Sequence, residues 1–244
     1  MNISSHSHNH FSTTRWSVVM QLAAAQSGDA DHALAELAQR YWYPVYAYVR
    51  RCGHAPCAAE DIARCFLTCL MREFRSGQSR PPQGHFRRYL LDQLNAFLGS
   101  DWRELIGTEA AAGITPPADL EARNQHDNAL AVSPEQAYQH AFALEVIARA
   151  LKRLRAEATQ TGHLPMYTAL ERHLAHDPAA GEYELIAARL QSRPLALVVA
   201  LKRLRQRFRE LVGQELADTV TSAEDLATEQ AALHAILSEM QMPS

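Results

Sequence analysis

Residues 182–211 read EYELIAARLQSRPLALVVALKRLRQRFREL, and this stretch decides the fold of the C-terminal half of the chain. Apolar residues recur at helical spacing on both sides of a short polar interruption at 191–193. Pro194 follows directly, and proline suits the first turn of a helix. A short helix, a tight turn and a longer helix make a helix-turn-helix. We therefore predict one helix over 182–190 and a second from Pro194 through Arg209.

The second of these helices is strongly basic. Six basic residues and no acidic one lie between Arg193 and Arg209, although the whole chain has a net charge of −3. Such cations can neutralise phosphates, which supplies affinity for nucleic acid without sequence information. The alternative interpretation is a solvated face that keeps an amphipathic helix soluble. The residues predicted to bind DNA are Arg193, Lys202, Arg203, Arg205 and Arg209.

The beginning of the same helix is apolar. Base edges are read by donors such as Arg, Asn and Gln near the N-terminus of a recognition helix. Here Pro194, Leu195, Val198 and Val199 occupy those positions. We therefore expect phosphate contacts from this helix and little ordinary base recognition.

The rest of the chain is also predicted to be helical. Ala, Leu, Glu, Gln and Arg dominate the composition, which favours an all-α fold with two helical domains joined by a linker. Pro44 lies inside one helical run, so a kink or a break is expected there. The predicted divisions are a disordered head over 1–12, a first domain over 13–104, a linker over 105–132, a second domain over 133–221, and a C-terminal helix and tail over 222–244.

Catalytic, metal and membrane functions find little support in the sequence. It contains no phosphate-binding glycine loop, nucleophile elbow or H-E-x-x-H motif, so we predict neither an enzyme nor a bound cofactor or metal. Cys65 and Cys69 are interpreted as buried thiols, and a zinc site built from Cys52, His54 and Cys57 is the alternative, although that spacing fits no standard finger. No signal peptide or run of about 20 apolar residues occurs, which predicts a cytoplasmic protein with no membrane contact.

Two motifs outside the helix-turn-helix carry a family resemblance. Residues 13–17 read TTRWS, and residues 41–54 read YWYPVYAYVRRCGH. Shorter matches follow at Glu60-Asp61-Ile62 and at 86–91. With these motifs the chain resembles bacterial RNA polymerase sigma factors of the extracytoplasmic-function type, in particular a subgroup with an N-terminal TTRWS signature.

The resemblance implies a function for each domain. The first would grip the clamp helices of the largest polymerase subunit and melt the −10 promoter element, and the second would read the −35 element. The partners implied are core RNA polymerase, promoter DNA, and an anti-sigma factor or a Ser/Thr kinase. By position, the polymerase-binding residues would be Glu60, Asp61 and Arg64. The residues near melted DNA would be Arg87, Arg88, Asn95 and Trp102.

Two further hypotheses remain open at this point. The first is a degenerate sigma-like protein that holds a protein partner through Leu195, Val198 and Val199 and regulates without initiating transcription. The second is phosphorylation of Thr68, because a phosphate there could pair with Arg64 or Arg72, each one helical turn away. The alternative for Thr68 is an ordinary threonine on a polar helix face.

Overall fold

The structure is a computed structural model that describes residues 28–76, 84–102, 116–129 and 131–241, with side chains from Ala35 to Met240. All regular secondary structure in these residues is helical, which confirms the all-α prediction. The head at 1–12, the TTRWS motif and the helix predicted over 15–25 lie outside the described residues.

Nine α-helices and one 3-10 helix over Glu171–His173 occur in the described part of the chain. In chain order they are α1 (Gly28–Arg51), α2 (Pro56–Ser76), α3 (Phe86–Leu98), α4 (Leu120–Asp127), α5 (Pro134–Gln160), α6 (Leu164–Leu170), α7 (Glu182–Arg189), α8 (Pro194–Ala217) and α9 (Ala223–Gln241).

Helix α1 continues through Pro44 and ends only at Arg51, so the break expected at this proline does not occur. The nine residues from Tyr41 to Val49 are all buried. Because this part of α1 is enclosed on every side, packing can offset the hydrogen bond that proline removes.

The residues form two compact units. Unit 1 comprises the described residues up to Glu145 together with those from Leu216 onward, and unit 2 comprises Val146–Glu215. The predicted boundaries at 132/133 and 221/222 differ from these divisions. One reason is that the first turns of α5 pack into unit 1, where Phe142 stacks on Tyr41 with ring centroids 6.0 Å apart.

A helix, α4, occupies part of the predicted linker at 105–132, and polar contacts hold it against α1. The guanidinium of Arg50 donates to both carboxylate oxygens of Glu121 at 2.7 Å, and the Tyr46 hydroxyl donates to the same group at 2.6 Å. The Arg123 guanidinium lies 3.8 Å from the ring centroid of Tyr43. Residues 120–127 contain a single large apolar residue, so no hydrophobic pattern reveals this helix in the sequence.

The Glu121 contact predicts an acid-sensitive contribution to stability. Hydrogen bonds from Arg50, and secondarily from Tyr46, lower the pKa of Glu121 from 4.5 to about 2. A carboxyl with a lowered folded-state pKa stabilises the fold above its unfolded pKa, and this contribution is lost as the pH falls toward 2. We expect Glu121→Gln to flatten the dependence of the free energy of unfolding on pH between about 5 and 2.

Urea denaturation at a series of pH values checks this expectation, with Glu224→Gln as a control because Glu224 is an exposed carboxylate of the same unit. The wild type and the control should lose stability in parallel on acidification. If Glu121→Gln loses as much stability as they do over this range, Glu121 does not carry the effect.

Unit 2 is built around two apolar clusters. One joins α6, α7 and the start of α8 through Leu170, Ile186, Leu197 and Leu201. The other cluster joins α5, α6 and α8, and its buried residues are Ala150, Leu154, Ala158, Tyr167 and Leu211. Leu204 packs against both clusters.

Candidate nucleic-acid interface

The turn between α7 and α8 has a defined geometry. Gln191 adopts a left-handed conformation with φ of 50°. The Ser192 amide donates to the carbonyl of Ala187 at 2.9 Å, and the Gln191 amide donates to Ala188 at 3.4 Å. This pair of bonds is the Schellman arrangement, in which glycine is the usual left-handed residue. Pro194 then begins α8, as the sequence predicts.

Four of the five cations predicted to bind DNA are exposed. Arg193 precedes α8, and Lys202, Arg203 and Arg209 lie on its outer surface. None of the four pairs with a carboxylate in the part of the chain that the structure describes, and Arg209 donates only to the amide oxygen of Gln206 at 3.1 Å. Lys202 and Arg209 are seven residues apart and therefore share one side of the helix. This side can approach a phosphate backbone without breaking an ion pair.

The fifth predicted cation, Arg205, has a structural position instead. Its guanidinium donates to the backbone carbonyl of His173 at 2.7 and 3.1 Å and to that of His176 at 2.8 Å. It also pairs with Asp177 at 2.6 Å. These contacts tie the segment after α6 to α8. Most of the Arg205 donors are therefore engaged inside unit 2, and the assignment of Arg205 to the DNA contacts stays a prediction.

Arg207 is also engaged within unit 2. Its guanidinium contacts both carboxylate oxygens of Glu157 on α5 at 2.7 and 2.8 Å, and it reaches Glu210 at 3.0 Å. The carboxylate of Glu157, followed by that of Glu210, raises the pKa of Arg207 above its ordinary value. Arg207 therefore adds less to the positive potential of α8 than the sequence alone indicates.

An exposed apolar patch accompanies these cations. Leu195 on α8 is 75% exposed and Leu185 on α7 is 74% exposed, while Val198 and Val199 are exposed to a smaller degree. Leu195, Val198 and Val199 at the start of α8 are thus surface residues, whereas Leu197 between them belongs to the core. Large apolar side chains that cluster on a surface often mark interaction sites.

The three predicted polymerase-binding residues lie together on α2, and all three are partly exposed. The guanidinium of Arg64 lies 3.3 Å from the carboxylate of Asp61. Thr68, in contrast, is only 6% exposed. The placement of Thr68 on a polar face is therefore wrong, and a kinase could not reach its hydroxyl in this conformation.

The residues predicted to lie near melted DNA have separate environments. Arg88 is exposed on α3. Asn95 is also exposed, and its side-chain oxygen accepts a hydrogen bond from the Tyr48 hydroxyl at 2.5 Å. Trp102 is buried beside Phe97 and His54, so its ring is not available for base stacking. Only Arg88 and Asn95 of the predicted set are open to solvent.

Arg87, the fourth member of the set, is covered by the C-terminal helix. Its Nη2 atom lies 3.0 Å from the Glu229 carboxylate, and its guanidinium carbon lies 5.1 Å from the ring centroid of Phe142. The imidazole Nδ1 of His85 lies 2.8 Å from the same carboxylate. His85 and Glu229 are site residues that sequence reasoning missed, because 144 positions separate them and neither belongs to a motif.

The structure confirms the prediction that Cys65 and Cys69 are buried thiols. Cys65 and Cys69 are buried, whereas Cys52 and Cys57 are exposed, and no disulfide joins any of the four in the described part of the chain. Among the described residues no group of three or more His, Cys, Asp or Glu side chains could hold a metal ion, so Cys52, His54 and Cys57 do not assemble a zinc site.

Comparisons with protein-family models, with curated proteins and with solved structures find no match for this chain. None of the helices in the described residues is long and apolar enough to cross a membrane. The function is therefore inferred from the residues and contacts of the protein itself.

Proposed function

We propose that the protein is a sigma factor of the extracytoplasmic-function type, which binds core RNA polymerase and directs promoter-specific initiation of transcription. The observation that carries the proposal is the exposed cationic side of α8, which follows α7 after a tight turn. Lys202 and Arg209 lie there without acidic partners in the described part of the chain, and Arg193 and Arg203 flank them. The sequence resemblance at 13–17 and 41–54 extends the proposal from DNA binding to transcription initiation.

The surface of α2 supports a role in polymerase binding. Asp61 and Arg64 keep 48% and 35% of their side chains exposed, and their ion pair spans 3.3 Å. Such an exposed pair contributes little to stability, so its charges remain available to a charged partner surface. Charges on the rim of an interface act mainly on orientation and association rate.

Co-purification with core polymerase tests this role. Asp61→Lys should reduce retention of core polymerase by at least about tenfold, because the reversed charge opposes the complementary surface. Asp92→Lys introduces the same change at an exposed position of α3 and serves as the control. Equal retention by both variants and the wild type would remove Asp61 from the polymerase interface.

A second candidate function is favoured by the apolar patch. Leu195, Val198 and Val199 are neighbours on one side of α8 and form a surface suited to a protein partner, which a sigma-like protein could use to regulate without initiating. Leu195→Gln with Val198→Gln separates the two functions. An interaction module should lose its partner and keep its binding to DNA, whereas a sigma factor should keep both core binding and phosphate contacts.

A further inference from the structure

The C-terminal helix α9 belongs to unit 1, although it follows the helix-turn-helix of unit 2 in sequence. The chain reaches it through backbone contacts with the start of α3. The Phe86 amide donates to the carbonyl of Thr219 at 3.1 Å, and the Gly84 amide donates to the Thr221 hydroxyl at 2.9 Å. The beginning of α9 is thereby fixed next to the helix that the resemblance assigns to melted DNA.

Helix α9 has its own start signal. The Ser222 hydroxyl accepts a hydrogen bond from the Asp225 amide at 3.1 Å and donates to the Asp225 carboxylate at 2.8 Å. Ser222 therefore acts as the N-cap of α9, because its side-chain oxygen satisfies a backbone amide of the first turn. Leu233 is buried and anchors the middle of the helix. The Ser222 cap and the buried Leu233 therefore stabilise α9 independently of its contact through Glu229.

Glu229 is the centre of that contact. Its side chain is only 3% exposed, and both of its oxygens lie about 3 Å from the guanidinium of Arg87. His85 approaches the same carboxylate at 2.8 Å, and Asp225 stands 3.6 Å from the other nitrogen of that imidazole. The Arg87 guanidinium therefore donates a hydrogen bond to the Glu229 carboxylate, and the His85 imidazole lies against that carboxylate without completing a hydrogen bond among the described residues. Arginine binds phosphate oxygens with the same geometry, so Glu229 takes a position that a phosphate could take.

Helix α9 does not supply an acceptor for every N–H group of the Arg87 guanidinium. The Nε atom of Arg87 is buried and has no hydrogen-bond acceptor among the described residues. Arginine matches a phosphate or carboxylate best when two of its N–H groups donate in parallel. The arrangement leaves one donor that a different anion could use.

We propose that α9 covers an anion-binding surface of unit 1 formed by Arg87 and His85, and that single-stranded nucleic acid competes with Glu229 for it. This inference rests on the proposed function, because that function supplies the melted DNA strand. In the closed arrangement Glu229 takes the place of a phosphate, and binding of the strand displaces α9. The C-terminal helix thus lowers the affinity of the protein for DNA until an opening event occurs.

Binding of a single-stranded oligo(dT) of about 20 nucleotides, followed by fluorescence anisotropy, tests the competition. Glu229→Gln removes the charge and keeps the shape, and we expect it to bind roughly 5- to 10-fold more tightly than the wild type, since a larger fraction of molecules is open. Glu224→Gln removes an equal charge from an exposed position of α9 and should change binding less than about twofold. Adding Arg87→Gln to Glu229→Gln should abolish the gain.

Because breaking a buried ion pair can unfold a protein, a second measurement uses the wild type alone. Hydrogen exchange of the amides in 223–241 should accelerate when oligo(dT) is added at saturation. Unchanged or slower exchange, or equal affinities for Glu229→Gln and Glu224→Gln, would overturn the competition. Absence of oligo(dT) binding by every variant would overturn it as well, whereas co-purification with core polymerase reports on the proposed function independently.

Discussion

Replacing Lys202 and Arg209 together by glutamine is expected to weaken binding to duplex DNA roughly 50-fold near 0.1 M salt. Each cation that neutralises a phosphate releases a condensed counterion from the DNA, and the variant loses the favourable entropy of that release at two positions. The same variant should show a salt dependence shallower by about 1.8 in the slope of log K against log salt concentration. Both side chains are exposed, and neither forms an ion pair with a carboxylate of the described residues, so the fold should be unaffected. Fluorescence anisotropy over a salt series measures both quantities.

The matched control is Lys152→Gln with Arg155→Gln. These residues are one lysine and one arginine, both exposed, on α5 of the same unit. The net charge falls by the same amount, so a general loss of attraction would appear in both variants. Equal slopes for the two double variants would place the DNA interface somewhere other than α8.

Arg205→Ala is expected to destabilise unit 2 by about 2–3 kcal/mol, because it leaves backbone acceptors without their donor. The carbonyls of His173 and His176 both accept from this guanidinium, and the two bonds to His173 are 2.7 and 3.1 Å long. Urea denaturation measures the loss, and faster hydrogen exchange over 171–178 locates it. Any accompanying loss of DNA binding would follow from the altered fold.

Arg209→Ala, one turn further along α8, is the control for this effect. Arg209 is exposed, and its guanidinium makes a single side-chain hydrogen bond within the described residues, to Gln206, so its removal should change the free energy of unfolding by less than about 0.5 kcal/mol. If Arg205→Ala proves as mild as Arg209→Ala, the contacts of Arg205 do not stabilise unit 2. The pair separates a structural arginine from an exposed one on the same helix.

The helices of the second domain could be predicted because their apolar spacing and their start signals agree. Leu197, Leu201, Leu204 and Leu211 recur on one side of α8, and the structure packs them into the two clusters of unit 2. Pro194 marks the beginning of the helix in the sequence and in the structure. Periodicity and proline act locally, so a single sequence is sufficient to detect them.

The sequence does not predict which basic residues of α8 are exposed and which are bonded inside unit 2. That difference depends on the groups that the fold places next to each side chain. Arg205 and Arg209 have the same chemistry and stand one turn apart, yet only Arg205 faces the carbonyls of His173 and His176. The same limit applies to Arg87, whose partner Glu229 comes from a helix far along the chain. Contacts between distant segments leave no periodic signal.

Helix α4 is not predicted from the sequence, for a different reason. It docks on α1 through Glu121 and Arg123, which bind Arg50 and the Tyr43 ring, rather than through an apolar face. A search for hydrophobic periodicity cannot find a helix held in this way. The tyrosines of the 41–54 motif therefore have a structural role that the resemblance alone did not indicate.

Run-off transcription with purified core polymerase tests the central claim most directly. The templates are the genomic fragments enriched by sequencing the DNA that co-purifies with the complex of this protein and core polymerase. We predict a discrete transcript that requires the protein and falls strongly with the Lys202→Gln and Arg209→Gln variant. Stable binding to core polymerase without a transcript from any enriched fragment would contradict a sigma factor and identify an interaction protein instead.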